Sequence, residues 1–418
     1  MVLEIRLSNF FSIKEEIVLD FRAATIKSAF AKALPDNVFD FDNIQVIKTL
    51  AIYGANASGK SNIIQAIRLC HIFVYTSHLS NENSIFNFKP FKFEGFDKKP
   101  SKYFIRFVIS GIEYTYTFSL TRQKIITESL YYYPKGRITK IFSRDERLGK
   151  TKKEKYSFGS LIKRPFDVAE NTSEKTLYIS RASQMDREIG KEIFNYFYRE
   201  FILHYTNYSF DVIGAMFTEY KTQLLEALRI ADSDIIDVKF KLLKQPVKNI
   251  NADLDKLTLT VEDVVHDQIQ IKTYHKTAPS IAFDFLTEES QGTIKLFFII
   301  LTILDVVKND KVLLIDEIED SLHPKIVEFI FNLFRNGKNA QLIYTTHNTR
   351  FLDLKKFRKD QIYFANKKSD ASTDLYSLYD YSDFRDTMDL EKAYYQGRFD
   401  AIPYVNDSGD QLRNLIYE

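Results

Sequence analysis

Gly54-Ala55-Asn56-Ala57-Ser58-Gly59-Lys60-Ser61 is the stretch on which the reading of this chain turns. Before it stands Leu50-Ala51-Ile52-Tyr53, an apolar run suited to a short buried strand. After it comes Ser61–His71, where Ile63, Ile64, Ile67 and Cys70 recur at helical spacing. Strand, glycine-rich loop and helix, in that order, are the context in which a phosphate-binding loop works. Gly54 and Gly59 permit the tight turns that aim successive backbone N–H groups inward, and the helix start adds its positive dipole end. Ala55, Asn56, Ala57 and Ser58 supply the backbone of the cradle. Lys60 is expected to reach the β- and γ-phosphates, and Ser61 to ligate Mg²⁺.

A second element lies far downstream. Val312-Leu313-Leu314-Ile315 reads as a buried strand that ends in Asp316-Glu317. Asp316 suits a Mg²⁺ ligand, and Glu317 suits the polarisation of an attacking water. Alone, an apolar run before two acids is as readily an ordinary strand end; a complete phosphate loop upstream gives it meaning. A helix is predicted over Gly292–Val307 and another from Pro324, and the strand Leu342–Tyr344 delivers Thr345-Thr346-His347. Strands alternating with helices, with polar residues at strand C-termini, predict a mostly parallel sheet covered on both faces.

The N-terminus has a different period. Leu3, Ile5 and Leu7 alternate with Glu4, Arg6 and Ser8, and Ile17, Leu19 and Phe21 resume the pattern after a corner at Asn9–Ser12. This predicts an antiparallel pair. Residues 22–45 read as a polar excursion, and strand spacing returns from Lys102 to Tyr133. Lys135–Arg164 carries eleven Lys or Arg against three Asp or Glu, a local balance of +8 in a chain of net charge +2, so the remainder sums to −6. Further on, helices are predicted over Lys191–Phe201 and Phe217–Ala231, and strands over Val238–Leu243, Leu257–Val261 and Ile269–Thr273. No heptad persists, which argues against a long coiled-coil arm. The division expected is an N-terminal lobe at 1–134, a basic segment with an α+β insertion at 135–280, and a C-terminal lobe at 281–418.

At 418 residues and 45% hydrophobic content, the chain can bury a large core. Its 36 Phe and 25 Tyr without any Trp read as the bias of an AT-rich genome rather than a stacking surface. The single cysteine, Cys70, excludes an intramolecular disulfide and a cysteine-based zinc site, and its apolar neighbours place it in the core. The seven histidines form no HExxH pattern. Met1–Arg6 has no apolar signal region, and Leu296–Leu304 is too short to span a bilayer. A cytoplasmic protein without membrane attachment is expected.

Together the motifs resemble the ABC-type ATPase heads of the SMC, RecF and double-strand-break-repair type. Leu7-Ser8-Asn9-Phe10 with Ser12 is similar to their opening strand, and Glu289-Ser290-Gln291-Gly292-Thr293 stands where they keep a signature motif. Glu319–His323 resembles their D-loop region, and His347 their switch histidine. A closer resemblance is to compact bacterial AAA15-type ATPases of phage-defence operons, such as abortive-infection or PARIS-like ATPase components. It rests on Asp316-Glu317-Ile318-Glu319 with Leu322-His323-Pro324, on Thr345-Thr346-His347-Asn348, and on Tyr394–Gly397 with Ala401-Ile402-Pro403.

The resemblance implies an α/β P-loop fold of the ABC-head type: a mixed central sheet, an antiparallel N-terminal β subdomain and an α+β insertion. It implies ATP and Mg²⁺ as cofactors, with Glu317 and His347 catalytic. It also implies a homodimer, or a higher homo-oligomer, in which Ser290 and Gly292 of one subunit contact the γ-phosphate held by the other. A helix N-terminus with a hydroxyl suits that task, and Ser290 equally suits an N-cap. His323 is divided between an interface role and a helix start. Such heads carry a lid glutamine, for which Gln123 is the candidate.

Three functions follow. The first is an ATPase sensor or scaffold of anti-phage defence, working with a separate protein effector. The second is a RecF-like repair ATPase that holds nucleic acid through 135–164, where Lys150, Lys152, Lys153 and Lys155 could meet phosphates. The third is an ATP-gated nuclease. Only 71 residues (418 − 347) follow His347, too few for a fused nuclease domain beside the closing strands, and Asp370, Asp374, Asp380 and Asp383 show no metal-binding spacing.

Overall fold

In the computed structural model, residues 1–26, 28–204, 209–231, 233–253, 258–403, 412–413 and 415–416 are described, those at 244–268 through their backbone alone. Every residue of the strand Thr49–Tyr53 is buried, and its side chains divide between two cores. Leu50 and Ile52 join one, Ala51 and Tyr53 the other. Val312 and Leu314 split from Leu313 and Ile315 in the same way. A strand apolar on both faces must be covered on both, and that condition organises the molecule.

Thr49–Tyr53 belongs to a six-stranded sheet in the order Phe201–Ile202, Val312–Ile315, Gln341–Thr345, Thr49–Tyr53, Ile362–Lys367, Thr373–Ser377. The first five strands are parallel and the last is antiparallel. Helices Phe210–Ile230, Gln291–Lys308 and Pro324–Asn336 pack on one face. Helix Lys60–Thr76 lies on the other, burying Ile63, Ile64, Ile67, Cys70 and Val74. The chain is thus a mixed α/β protein with the P-loop NTPase arrangement of strand, loop and helix at the centre of its sheet.

A second sheet covers the far side of helix Lys60–Thr76. Its seven strands are all antiparallel, in the order Tyr156–Phe158, Thr139–Asp145, Ile125–Tyr132, Ile112–Leu120, Ser101–Ile109, Val2–Ser8, Ile17–Asp20. Buried Gln341 joins the two sheets: its Oε1 accepts from Val2 N at 2.6 Å and its Nε2 donates to Val2 O at 2.9 Å. The expected N-terminal pair is therefore one edge of a wide sheet. Position 134/135 falls between two of its neighbouring strands.

Several local expectations are revised. The excursion at 22–45 contains helix Ala29–Lys32 and most of the hairpin Val38–Phe41 with Ile44–Ile47, whose second strand runs past its end. The helix expected over Lys191–Phe201 is Glu188–Asn195, followed by a π turn at Tyr196–Glu200 and the short strand Phe201–Ile202. Pairing beside Val312–Ile315 takes the chain out of the helix there.

The basic segment is not all solvated. Arg144 is fully buried, donating to Glu146 Oε1 at 2.6 Å, Thr176 O at 2.7 Å and Ser173 O at 2.9 Å. Lys155 pairs with Glu146 at 2.8 Å, and Lys152 donates to Thr172 O at 2.6 Å. Lys150 and Lys153 remain exposed.

The largest difference lies in the insertion. Ile269–Thr273 and the described part of Leu257–Val261 belong to one strand, Thr258–His275, paired along Ile235–Asp253; Leu257 itself is outside the described residues. The resulting two-stranded ribbon is roughly 60 Å long at about 3.4 Å per residue. Strand Ala278–Asp284 joins only its base. The insertion is thus built around a β ribbon. Among the described residues, no helix is long and apolar enough to cross a membrane.

Candidate nucleotide site

After Tyr53 the chain reverses through Gly54–Gly59 into helix Lys60–Thr76. Neither glycine has room for a side chain. A Cβ on Gly54 would lie 2.3 Å from Ala365 O; one on Gly59, at φ 103°, would lie 1.9 Å from Thr373 Oγ1. Asn56 and Ala57 crown the loop in solvent, Ala55 is half-buried, and Ser58 and Lys60 are buried beneath. Lys60 Nζ donates to Gly54 O at 2.7 Å and Ala55 O at 2.9 Å. Burial lowers its pKa to about 8, against the raising fields of Glu317, Asp316 and Glu319. Among the described residues its hydrogen-bond partners are carbonyls, and a buried ammonium so placed gains from any anion brought to it.

The loop is supported from behind. Thr373 Oγ1 donates to Ser58 O at 2.9 Å and lies 2.7 Å from Ser12 Oγ, which accepts from Asn62 Nδ2 at 2.7 Å. Thr373 N donates to Ser12 O at 2.7 Å. Ser12 was visible in the opening motif. Thr373 sits on the antiparallel edge strand, where no sequence spacing relates it to the loop.

Val312–Ile315 carries Asp316 and Glu317 out of the same end of the sheet. One hydroxyl organises both acids: Thr345 Oγ1 donates to Asp316 Oδ1 at 2.6 Å and accepts from Glu317 N at 2.7 Å. Ile318 N donates to Thr345 O at 3.1 Å. Glu317 is exposed at φ 51°, and its Oε1 is 3.7 Å from His347 Nε2. Glu319 accepts a hydrogen bond from His347 N. Sequence reasoning assigned neither Thr345 nor Glu319 a part in the site, although both lay inside quoted motifs.

Ser290 and Gly292 stand apart from this cluster. Ser290 caps helix Gln291–Lys308, its Oγ accepting from Thr293 N at 3.0 Å. A Cβ on Gly292 would lie 3.0 Å from Ser321 O, and Lys295 Nζ donates to Asp320 O at 2.5 Å. The turn thus rests on the segment that follows Glu317. Among the described residues, no hydrogen bond or ion pair joins Ser290 or Gly292 to Gly54–Ser61, and Ser290 is exposed.

The remaining candidates also lie elsewhere. His323 caps helix Pro324–Asn336, with Nδ1 accepting from Lys325 N at 3.3 Å. Gln123 occupies the exposed turn between Ile112–Leu120 and Ile125–Tyr132, where its N donates to Thr121 Oγ1 at 3.3 Å. Asp370 pairs with Lys14 at 2.8 Å and Asp374 with Lys368 at 3.4 Å. Asp380 accepts from Ser377 N at 3.2 Å.

A family model described as "AAA domain, putative AbiEii toxin, Type IV TA system" matches residues 50–353, a stretch holding the P-loop, both acids and His347. Similar solved structures include an Smc head bound to the C-winged helix domain of ScpA, at 15% identity, covering 94% of this chain and 99% of that one with a TM-score of 0.38. Another is the SMC head domain from Thermotoga maritima, at 14% identity, 90% and 98% coverage and a TM-score of 0.39. A third is an Smc head with an extended coiled coil, bound to the C-terminal domain of ScpA derived from Pyrococcus furiosus. It shows 13% identity, 95% and 98% coverage and a TM-score of 0.36. No functionally curated protein matches the chain.

Proposed function

The chain belongs to the AAA-domain family matched over residues 50–353, and on that premise we propose that it binds ATP with Mg²⁺ and hydrolyses it at a site shared by two copies of itself. One observation carries the reading. The phosphate half of the site is built and buttressed within the chain, whereas Ser290 is exposed and, among the described residues, the Ser290–Gly292 turn makes no hydrogen bond or ion pair to it.

The residues fit the cofactors. Side chains are excluded at Gly54 and Gly59, which leaves backbone N–H groups to line a cradle for polyphosphate. Ser61 is only half-buried, and Asp316 has one oxygen beyond the one Thr345 holds. Those two would hold Mg²⁺, which supplies neutralisation of phosphate charge. Lys60 exchanges its loop carbonyls for phosphate oxygens. Glu317 accepts the proton of the attacking water, and His347 orients that water or the terminal phosphate. Ser290 and the Gly292 N–H, at a helix N-terminus, serve the γ-phosphate of the second copy.

Mixing two inactive variants tests the sharing. Ser290→Arg should bind ATP yet not hydrolyse it, and Asp316→Asn should lack its metal ligand. Mixed dimers contain one site with both lesions and one with neither, so partial recovery of ATPase activity is expected. Normal hydrolysis by a monomeric Ser290→Arg protein would defeat the shared site.

A finer role, as cytoplasmic sensor or scaffold of anti-phage defence with a separate protein effector, draws on motif resemblance. Phage challenge of cells carrying the gene and its neighbours should show protection that Lys60→Ala abolishes; protection indifferent to that change would remove the role. The RecF-like alternative draws on exposed Lys150 and Lys153 and calls for salt-dependent DNA binding by the purified chain.

A further inference from the structure

The base of the β ribbon meets the Ser290 turn through one imidazole. His275 ends the strand Thr258–His275, opposite Ile235 in the partner strand. Its Nδ1 lies 2.8 Å from Asp234 Oδ1, and its Nε2 lies 2.8 Å from Glu289 Oε1. A carboxylate only accepts, and a neutral imidazole has a single N–H, so both contacts are hydrogen bonds only when both nitrogens are protonated. Burial works to lower the pKa of His275, but its bonds to Asp234 and Glu289 outweigh burial and raise it. The ring also packs edge-on to Phe283, 4.8 Å between centroids, which fixes its plane.

Glu289 receives a second bond from the same strand: Thr273 Oγ1 donates to its Oε1 at 2.5 Å. Its side chain is 8% exposed, so it is held by these contacts rather than by water. The next residue is Ser290, whose hydroxyl caps helix Gln291–Lys308. Ribbon base, Glu289 and helix cap are consecutive links.

We propose that His275 is a positioning residue for the Ser290–Gly292 turn, so that the base of the ribbon and this turn move as one unit. The proposal rests on the reading that the turn completes a second copy's nucleotide site. It gives the ribbon a route to that site, because displacing Thr258–His275 shifts Glu289 and with it the Ser290 hydroxyl. Among the described residues, Asp234 and Glu289 are the charged groups that contact the ring. The clamp is complete while His275 is charged and is lost as pH rises through its raised pKa.

Hydrogen exchange read by mass spectrometry tests this on the full chain without nucleotide turnover. His275→Gln and Glu289→Gln should each speed exchange of amides 290–294 by about tenfold, as expected for losing charge-assisted bonds, and leave 54–61 unchanged. The double variant should exchange no faster than either single one. Between pH 6 and 9, after correction for intrinsic exchange, wild-type protection of 290–294 should fall while that of His275→Gln stays flat. Unchanged protection in His275→Gln, additive effects in the double variant, or a flat wild-type profile would overturn the proposal. Should His275→Gln also lose protection at 54–61, a sign of wider unfolding, Glu289→Gln decides alone. A wild type without ATPase activity would sink the catalytic reading and leave this result standing.

Discussion

The P-loop and the Ser290 turn are both helix N-termini, yet the protein builds them by opposite means. The P-loop turns through Gly59 at φ 103°, which glycine adopts freely, and buries an ammonium, a costly feature; bonds among Thr373, Ser12, Asn62 and Ser58 hold the loop from behind. The Ser290 turn has an ordinary cap, an exposed hydroxyl and supports on its flanks, at Ser321 and at the ribbon base. On the shared-site proposal, the first construction suits a loop that holds its own ligand. The second suits a surface that engages a ligand held by another copy, because burying it would close off its target.

The contrast breaks first at Lys60. Lys60→Ala should weaken ATP binding by about 10³-fold, since the buried charge facing the triphosphate is lost, whereas Ser290→Arg should stay within about twofold. Calorimetry on the two variants is the check, and equal losses would erase the distinction.

The next effect concerns the hydroxyl behind the acids. Glu317→Gln should retain ATP but lower turnover by about 10²-fold. Thr345→Val, which keeps the shape and removes the hydroxyl, should lower turnover by about tenfold and weaken Mn²⁺ binding in the presence of an ATP analogue. Thr345→Ser should restore both. Turnover at saturating ATP and Mn²⁺ titration by EPR measure this, and wild-type values in Thr345→Val would show that the acids need no such support.

The smallest effect is one of pH. In the free protein Lys60 has a pKa of about 8, and a bound triphosphate raises it, so above that pH binding must take up a proton. ATP affinity should therefore fall about fourfold between pH 7 and pH 8.5. Ser290→Arg should show the same slope, because the titrating group belongs to the P-loop alone. A flat profile would mean that Lys60 stays charged without its ligand.

The P-loop, the Val312–Ile315 strand with its two acids and the alternation of the first strand were all readable in consecutive residues. Each is a local backbone geometry or a local apolar period, and such features are written in short stretches of chain. Arg144 was counted with the basic run because a charge count has no depth; only the fold shows it bonded inside. The ribbon was read in pieces, because Lys, Asn, Asp and Glu interrupt its apolar pattern away from the packed base at Val238 and Ile271. Thr373 behind the loop and His275 against Glu289 left no mark in the sequence at all. A hydrogen bond between residues on different strands is set by how sheets and insertions pack, and it imposes no spacing along the chain that joins them.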